Sequence, residues 1–410
     1  MTVAKSSICP RCHAGFRCGA AAGDSVCWCV SLPTLLAVPN PAGAASCFCP
    51  ACLKEMLATE SSLPLALPVI KPIANAALQR ALQHKIDHKT KPPDALGRLE
   101  SLALQLGLIQ RTESPALLQP QILLFAADHG IAAEGVSAYP QAVTVQMVSN
   151  RLAGGAAVNV FARQHGFELH VIDAGVAADL SAHPQLQPRK IAPGTRNVCV
   201  ETAMSPAQAQ AAIEAGRACV RGLPGNVLAL GEMGIANTSS AALLLARLAG
   251  VSIDDACGRG TGLDDAQLTH KQGKLTQALA LHADAISPLD ALAALGGFEI
   301  AMMTGAMLQA ASERRVLLID GFIAGSAALV ACAMSPAARD FMVFAHRSTE
   351  RGHGLLLSHL KAEPLLQLDL RLGEGTGALL AWPLVQAASG FVNEMASFES
   401  AGVSGPTPAT

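Results

Sequence analysis

A single acidic residue, Glu374, lies between two glycines, Gly373 and Gly375, near the carboxyl end of the chain. Glycine has no Cβ atom, so the chain can turn sharply here and a substrate can approach the backbone closely. The apolar run 378–382 follows directly and predicts the start of a packed helix. A carboxylate beside an apolar element loses solvent, which raises its pKa toward that of a general base. We expect Glu374 to be this base; a solvated glutamate in a surface turn is the ordinary alternative.

Short apolar runs recur along the chain, and each ends in acidic residues, histidine or glycine. The runs cover residues 121–127, 168–172, 226–230, 316–319 and 341–344. Segments with helical periodicity separate them, such as 154–165 and 207–221, and Ser205 and Pro206 open the latter as N-cap and first helical residue. Strands that alternate with helices predict an α/β fold with a parallel, doubly wound (Rossmann-like) sheet.

Two helices are expected before the first strand. The first runs from Ile73 with apolar residues at helical spacing, and Asp94 is the expected N-cap of the second. They would form a smaller helical subdomain that either covers the sheet or provides a dimer face.

Polar side chains follow the ends of the predicted strands. They are Asp128, Asp173, Glu232, Asp320 and His346. In parallel α/β sheets ligands bind at the carboxyl ends of the strands. We therefore expect a small-molecule enzyme with a crevice rimmed by these side chains.

Two glycine-rich loops, residues 231–240 and 258–265, are candidates for phosphate binding. The first leads from a strand into a helix, where backbone N–H groups favour an anion, although Asn237 and the hydroxyls after it could simply cap the helix. Arg259 and Lys271 could neutralise a phosphate or be surface charges. Neither loop is a Walker A or dinucleotide fingerprint. Residues 316–321 also lack the paired acids that hold a diphosphate through Mg²⁺, so we expect a monophosphate and no catalytic cofactor.

An aromatic base could bind beside the first strand end. Tyr139, Gln146 and Met147 together would offer an apolar slot with one hydrogen-bonding amide, which suits a flat heterocycle. A core methionine and a surface glutamine are an equally good interpretation of the same residues.

The first 53 residues form a separate cysteine-rich module. Cys9 and Cys12 form one CxxC pair, and Cys49 and Cys52 form a second. Two such pairs can supply four thiolates to one zinc ion, although the gap between them exceeds the usual zinc-ribbon spacing and redox or unligated thiols are the alternative. With Cys27-Trp-Cys29 between the pairs, the module resembles the small family named for its Cys-Trp-Cys core. Because so short a segment can bury only a small hydrophobic core, a metal would be needed to order it.

Composition narrows the remaining possibilities. The 410 residues are 51% hydrophobic and 15% charged, with a net charge of −2 and 3% aromatics. This excludes global disorder and argues against nucleic-acid binding. The N-terminus lacks the apolar segment of a signal peptide and long apolar stretches are interrupted, so we expect a cytoplasmic protein with no membrane span. The expected division is a cysteine-rich module (1–53), a linker (54–71), a catalytic domain (72–400) and a disordered tail (401–410).

Seven motifs in order resemble the nicotinate-nucleotide–dimethylbenzimidazole phosphoribosyltransferase family over about residues 72–400. They are Lys89-Thr-Lys-Pro-Pro, Ala127-Asp-His-Gly, Gly231-Glu-Met-Gly-Ile, Gly258-Arg-Gly-Thr-Gly, Asp320-Gly-Phe, His346-Arg-Ser and Leu372-Gly-Glu-Gly-Thr-Gly. The chain departs from the family at Ala236, where glycine is usual, and at Asp94-Ala95, where Gly-Ser is usual. We expect the first change to tighten the phosphate loop.

The resemblance implies transfer of phosphoribose from nicotinate mononucleotide to 5,6-dimethylbenzimidazole by a homodimer. Glu374 matches the family's catalytic base, and Glu232 would have a supporting catalytic role. The residues that would bind substrate are Ser137, Tyr139, Gln146, Gly234, Asn237, Gly260, Lys271, Asp320, Ser348, Gly373 and Gly375. Two alternatives stay open, which are transfer to another base and a noncatalytic nucleotide-binding or metal-sensing protein.

Overall fold

The structure is a computed structural model that describes residues 7–22, 47–53 and 65–404. The Cys27-Trp-Cys29 motif, residues 54–64 of the expected linker and residues 405–410 of the expected tail lie outside the described residues.

A six-stranded parallel sheet forms the centre of the catalytic region. Its strands are β3 (Gln121–Ala127), β4 (Glu168–Gly175), β5 (Leu186–Pro188), β6 (Val227–Met233), β7 (Val316–Ile319) and β8 (Met342–Phe344). Their order across the sheet is β5-β4-β3-β6-β7-β8. The chain therefore winds outward in both directions from β3, and a crevice is expected where the winding reverses, between β3 and β6. This confirms the predicted doubly wound fold.

Five strands coincide with the predicted apolar runs, and β5 was missed. Its three residues, Leu-Gln-Pro, pair with the edge of the sheet at Val171–Asp173. So short a strand carries no alternation or apolar run that a sequence pattern can detect. By contrast, all seven residues of β3 are buried, as expected for a central strand covered on both faces.

One helix, α1 (Gly19–Ala22), belongs to the cysteine-rich module. The helices of the catalytic region flank the sheet and connect its strands. They are α2 (Ala76–Asp87), α3 (Arg98–Gln110), α4 (Val143–Leu152), α5 (Ala157–His165), α6 (Pro206–Val220), α7 (Asn237–Ala249), α8 (Ile253–Ala256), α9 (Asp265–Leu281), α10 (Pro288–Leu295), α11 (Phe298–Ser312), α12 (Phe322–Met334), α13 (His353–His359), α14 (Thr376–Glu394) and α15 (Phe398–Ala401). Helices α6 and α11 cross closely because Gly216 and Gly305 each lie directly against backbone of the other helix.

Helices near the two ends of the catalytic region pack together. Helix α14 contacts α3, and Lys89, just after α2, donates from its ammonium group to the Met395 carbonyl after α14. A buried ion pair joins Lys91 Nζ to Glu100 Oε1 at 2.8 Å. These contacts place the Lys89-Thr-Lys motif within the packing between helices.

Two helix starts were predicted, with different outcomes. Ser205 caps α6 by accepting from the Gln208 N–H at 3.2 Å, with Pro206 in the first turn, as predicted. The Asp94 N-cap was wrong, because Asp94 lies in a turn at φ +58° and α3 begins only at Arg98. The N-cap of α3 is Gly97, and no local pattern distinguishes Asp94 from a true N-cap.

The described part of the cysteine-rich module contains a short antiparallel hairpin. Its strands are β1 (Ser7–Ile8) and β2 (Gly15–Phe16). Among the described residues, no helix is both long enough and apolar enough to span a membrane.

Candidate active site

Glu374 lies on a tight turn directly before α14. Its φ is +66°, and the flanking glycines have φ of +77° and +81°. The turn packs onto β6 so closely that a Cβ at Gly231 would lie 2.5 Å from the Glu374 carbonyl oxygen. A left-handed, non-glycine residue held by such contacts is typical of functional sites.

Asp320, at the end of β7, fixes this turn. Its two carboxylate oxygens accept the backbone N–H groups of Gly375 and Ala378, each at 3.0 Å. They thereby neutralise the amino-terminal end of α14. His346 Nε2, from beyond β8, lies 3.6 Å from the same carboxylate. Asp320 therefore holds the base-bearing loop as well as lining the site.

Glu232, in β6, is a second buried carboxylate beside Glu374. It accepts the Glu374 backbone N–H at 3.3 Å and a hydrogen bond from the side-chain amide of Asn237. Burial, opposed by the Glu374 N–H and reinforced by neighbouring carboxylates, raises the pKa of Glu232 to about 8. Glu232 is therefore mostly protonated at neutral pH.

Arg151, in the last turn of α4, forms an ion pair with the Glu374 carboxylate. Burial raises the pKa of Glu374, and the guanidinium charge opposes that rise. The sequence analysis missed Arg151, because an arginine near a helix carboxyl terminus is normally solvated and no neighbouring residue marks it as buried.

A cavity of about 350 Å³ opens at these strand ends. Its lining includes nine of the predicted site residues: Tyr139, Glu232, Gly234, Asn237, Gly260, Asp320, Ser348, Gly373 and Glu374. Val143, Met147, Phe322 and Ile323 add apolar surface. The volume lies in the range of small-molecule sites.

Four predicted site residues lie outside this lining. Ser137 accepts the Tyr139 N–H at 3.3 Å, and Gln146 is exposed on α4. Gly375 lies beneath the site, where its N–H binds Asp320. Their roles toward substrate stay predictions.

The fourth, Lys271, joins the two glycine-rich loops. It is 1% exposed, and Nζ donates to Thr238 Oγ1 at 2.9 Å and to the Gly258 carbonyl at 3.3 Å. Burial lowers its pKa. A second cavity of about 440 Å³ continues from Gly260 past Arg259, Arg351 and Arg371, so cationic groups surround the junction of the loops.

Three of the five side chains predicted to rim the crevice line the cavity. Glu232, Asp320 and His346 line it, whereas Asp128 and Asp173 accept the backbone N–H groups of Ala177 and Val176 and hold a neighbouring loop. The start of α7 also differs from the capping interpretation. Its N-cap is Ala236 at φ +73°, and Asn237 binds Glu232 instead of capping the helix.

In the cysteine-rich module, Cys9, Cys12, Cys49 and Cys52 come together. Their sulfur atoms all lie within 4.8 Å of one another, and Cys12 Sγ is 3.6 Å from Cys49 Sγ. Tetrahedral zinc with bonds of about 2.3 Å places its sulfurs roughly 3.8 Å apart. The four thiols therefore fit a metal ion.

Together, the switch point between β3 and β6, the buried carboxylates and the paired glycine loops define an α/β enzyme that acts on a small molecule. A family model described as phosphoribosyltransferase matches residues 70–403, and one described as cysteine-rich CWC matches residues 9–54.

Curated relatives carry one enzyme name. The chain is 60% identical over 325 residues to nicotinate-nucleotide–dimethylbenzimidazole phosphoribosyltransferase from Cupriavidus necator, covering 78% of this chain and 93% of that protein. It is 61% identical over 316 residues to the enzyme of that name from Variovorax paradoxus, covering 77% and 90%. The crystal structure of CobT from Thermus thermophilus is similar with a TM-score of 0.78 and 43% identity, over 80% of this chain and all of that one. The chain belongs to the nicotinate-nucleotide–dimethylbenzimidazole phosphoribosyltransferase family.

Proposed function

We propose that this enzyme transfers phosphoribose from nicotinate mononucleotide to 5,6-dimethylbenzimidazole, forming α-ribazole 5′-phosphate and nicotinate for the nucleotide loop of cobalamin. The observation that carries the proposal is the buried Glu374 carboxylate in the wall of the cavity, beside both glycine-rich loops. The names of the relatives support this pair of substrates.

The chemistry requires one base and a good leaving group. The unprotonated ring nitrogen of dimethylbenzimidazole attacks C1′ of the donor ribose, and the bond from C1′ to the pyridinium nitrogen breaks. Its electron pair returns to the pyridine ring, which leaves as nicotinate. The N–H proton of the acceptor passes to Glu374. Attack from the face opposite the leaving group inverts C1′ and gives the α-linked product.

The donor phosphate is proposed to lie at the junction of the two loops. Helix α7 begins at this junction, where its amino-terminal end would favour an anion, and the buried ammonium group of Lys271 joins both loops there. Gly234, Gly260 and Ser348 would allow close approach of the ribose phosphate along the cavity wall.

The acceptor base is proposed to lie against Tyr139, Val143 and Met147, which form the apolar wall near Glu374. Ser137 and Gln146 stay proposed base contacts because they belong to the same segment, residues 137–147. The Glu232 carboxyl group orients the Glu374 loop by accepting the backbone N–H of Glu374.

Replacing Glu374 by glutamine tests the assignment of the base. Glu374→Gln should keep the fold and donor binding while nicotinate release falls by about 100-fold or more, since a general base contributes roughly 10²–10⁴. Glu363→Gln is the matched control, because the Glu363 side chain is 83% exposed. Near-normal turnover of Glu374→Gln would remove Glu374 as the base.

Transfer to another base is the second candidate function. Apolar side chains line the cavity around the proposed acceptor position. They restrict the shape of the acceptor base more than its chemical identity. Competition between dimethylbenzimidazole, adenine and a phenol, with analysis of the products, decides which acceptor is preferred.

The cysteine-rich module is proposed to bind one zinc ion through Cys9, Cys12, Cys49 and Cys52. The clustering of the four sulfurs supports this, as does the small size of the segment, which a metal would order. Zinc here would be structural, with no part in the transfer reaction.

We further propose a homodimer that acts in the cytoplasm and binds no nucleic acid. The resemblance of the seven sequence motifs to the family supports the homodimer. Light scattering on the full chain measures the oligomeric state directly.

A further inference from the structure

Arg151 is among the largest fully buried side chains of the described residues, with 0% exposure. Burying a guanidinium group without full compensation is costly, because its charge and its donors lose water. Its Nη2 is paired with Glu374 and lies 3.5 Å from Met233 Sδ. Its Nε and Nη1 atoms have no hydrogen-bond partner among the described residues. An arginine buried for stability alone would be expected to satisfy these donors.

Arg151 does not belong to the described lining of the cavity, whereas Glu374 does. The guanidinium is fully buried, whereas the carboxylate that it pairs with reaches the cavity. The backbone of Arg151 is held at the end of α4. Its carbonyl accepts hydrogen bonds from the Asn159 side-chain amide at 3.0 Å and from the Gly154 N–H at 3.0 Å.

We propose that Arg151 is a positioning residue that keeps the Glu374 carboxylate ionised and directed into the cavity. This rests on the proposed function, in which Glu374 accepts the acceptor's proton. A buried carboxylate is easily protonated before substrate arrives, and a base that already holds a proton cannot act. A permanent cation behind it prevents this, because arginine does not lose its proton in proteins.

The acidic neighbours of Glu374 act in the opposite direction from Arg151. Glu232 from β6 and Asp320 from β7 are acidic, and the Asp320 charge favours protonation of Glu374. His346 faces Asp320, and Arg371 lines the same cavity. Among the described residues, Arg151 is the cation in direct contact with the Glu374 carboxylate.

The pH dependence of nicotinate release tests the proposal in the full-length enzyme. In Arg151→Met and Arg151→Gln, the acidic limb of kcat/KM should move to higher pH by about 1–3 units, the range by which an adjacent arginine shifts a carboxyl group. Activity relative to the wild type should therefore be lost at acidic pH and recovered as the pH rises. Arg151→Lys keeps a cation and should stay close to the wild-type profile.

Arg315→Met is the matched control. Arg315, directly before β7, is also buried, but it donates to the carbonyls of Leu223, Pro224 and Gly225, which precede β6, at the ends of these two strands far from the site. Its loss should lower stability without moving the acidic limb.

Three outcomes overturn the proposal. They are an unmoved acidic limb in a folded neutral variant, the same movement in Arg315→Met, and failure of both neutral variants to fold while Arg151→Lys folds. The Glu374→Gln variant distinguishes failure of the Arg151 proposal from failure of the proposed function. If that variant is inactive at every pH while Arg151→Met has the wild-type profile, the base assignment stands and the role of Arg151 falls.

Discussion

At the scale of single residues, the site contains two buried carboxyl groups with different surroundings. Glu374 has a guanidinium partner, whereas Glu232 accepts hydrogen bonds from one amide and one backbone N–H. The charged form of Glu374 is therefore compensated and that of Glu232 is not. This difference favours Glu374 as the base and leaves Glu232 as a mostly neutral support.

The pH dependence of stability should report the state of Glu232. Its pKa is about 8 in the folded protein against 4.5 ordinarily, so the folded state holds a proton that the unfolded chain has released. The stabilisation is complete below pH 4.5 and is lost as pH rises toward 8. Between pH 5 and 8 the free energy of unfolding of the wild type should fall, relative to Glu232→Gln, by up to about 1.4 kcal/mol per pH unit.

Urea denaturation at several pH values measures this difference. Glu363→Gln should follow the wild type, since its carboxylate is solvated. Parallel stability curves for the wild type and Glu232→Gln would show that Glu232 is ionised in the folded protein.

At the scale of elements, two left-handed residues precede the helices that face the cavity. Glu374 lies one residue before the N-cap of α14, and Ala236 is the N-cap of α7. Glycine adopts this conformation without strain, but alanine does not. The departure at Ala236 therefore has a physical consequence, which is backbone strain in the loop proposed to hold phosphate.

Ala236→Gly should raise the free energy of unfolding by about 1 kcal/mol, because it removes the contact between Cβ and the backbone in the left-handed region. The shift of the urea midpoint at constant slope measures it. Ala387→Gly is the control, since Ala387 is exposed within α14, and it should lose about 1 kcal/mol. Equal losses in both variants would mean that Ala236 is not strained.

At the scale of the whole molecule, two family models match separate segments, residues 9–54 and 70–403. The four clustered cysteines belong to the first segment, and every residue assigned to the reaction belongs to the second. Loss of a structural metal from the first segment should therefore leave turnover in the second unchanged.

Removal of one thiolate tests this separation. Cys9→Ser in the full chain should reduce bound zinc from about one ion per chain to nearly none, because four thiolates complete the site. Nicotinate release should be unchanged. Elemental analysis and the turnover assay measure both, and Cys332→Ser, in α12, is the control that should keep its zinc. Equal zinc in the Cys9→Ser and control proteins would reject the site.

The parallel fold could be predicted from sequence patterns alone, and nine of the thirteen predicted site residues lie in the cavity lining. Buried parallel strands must be continuous apolar runs, and the residues that follow them must meet at one edge of the sheet. Glu232, Asp320 and His346 line the cavity for this reason, and Ser205 caps α6 as predicted because an N-cap depends only on its neighbours.

Which side chains touch one another could not be predicted from local patterns in the sequence. The pairing of Arg151 with Glu374, the use of Asp320 to hold α14, and the position of Gln146 outside the cavity depend on how α4 and α14 pack against the sheet. Such contacts join residues far apart in the chain, and their geometry is set by packing between elements, which local spacing does not encode.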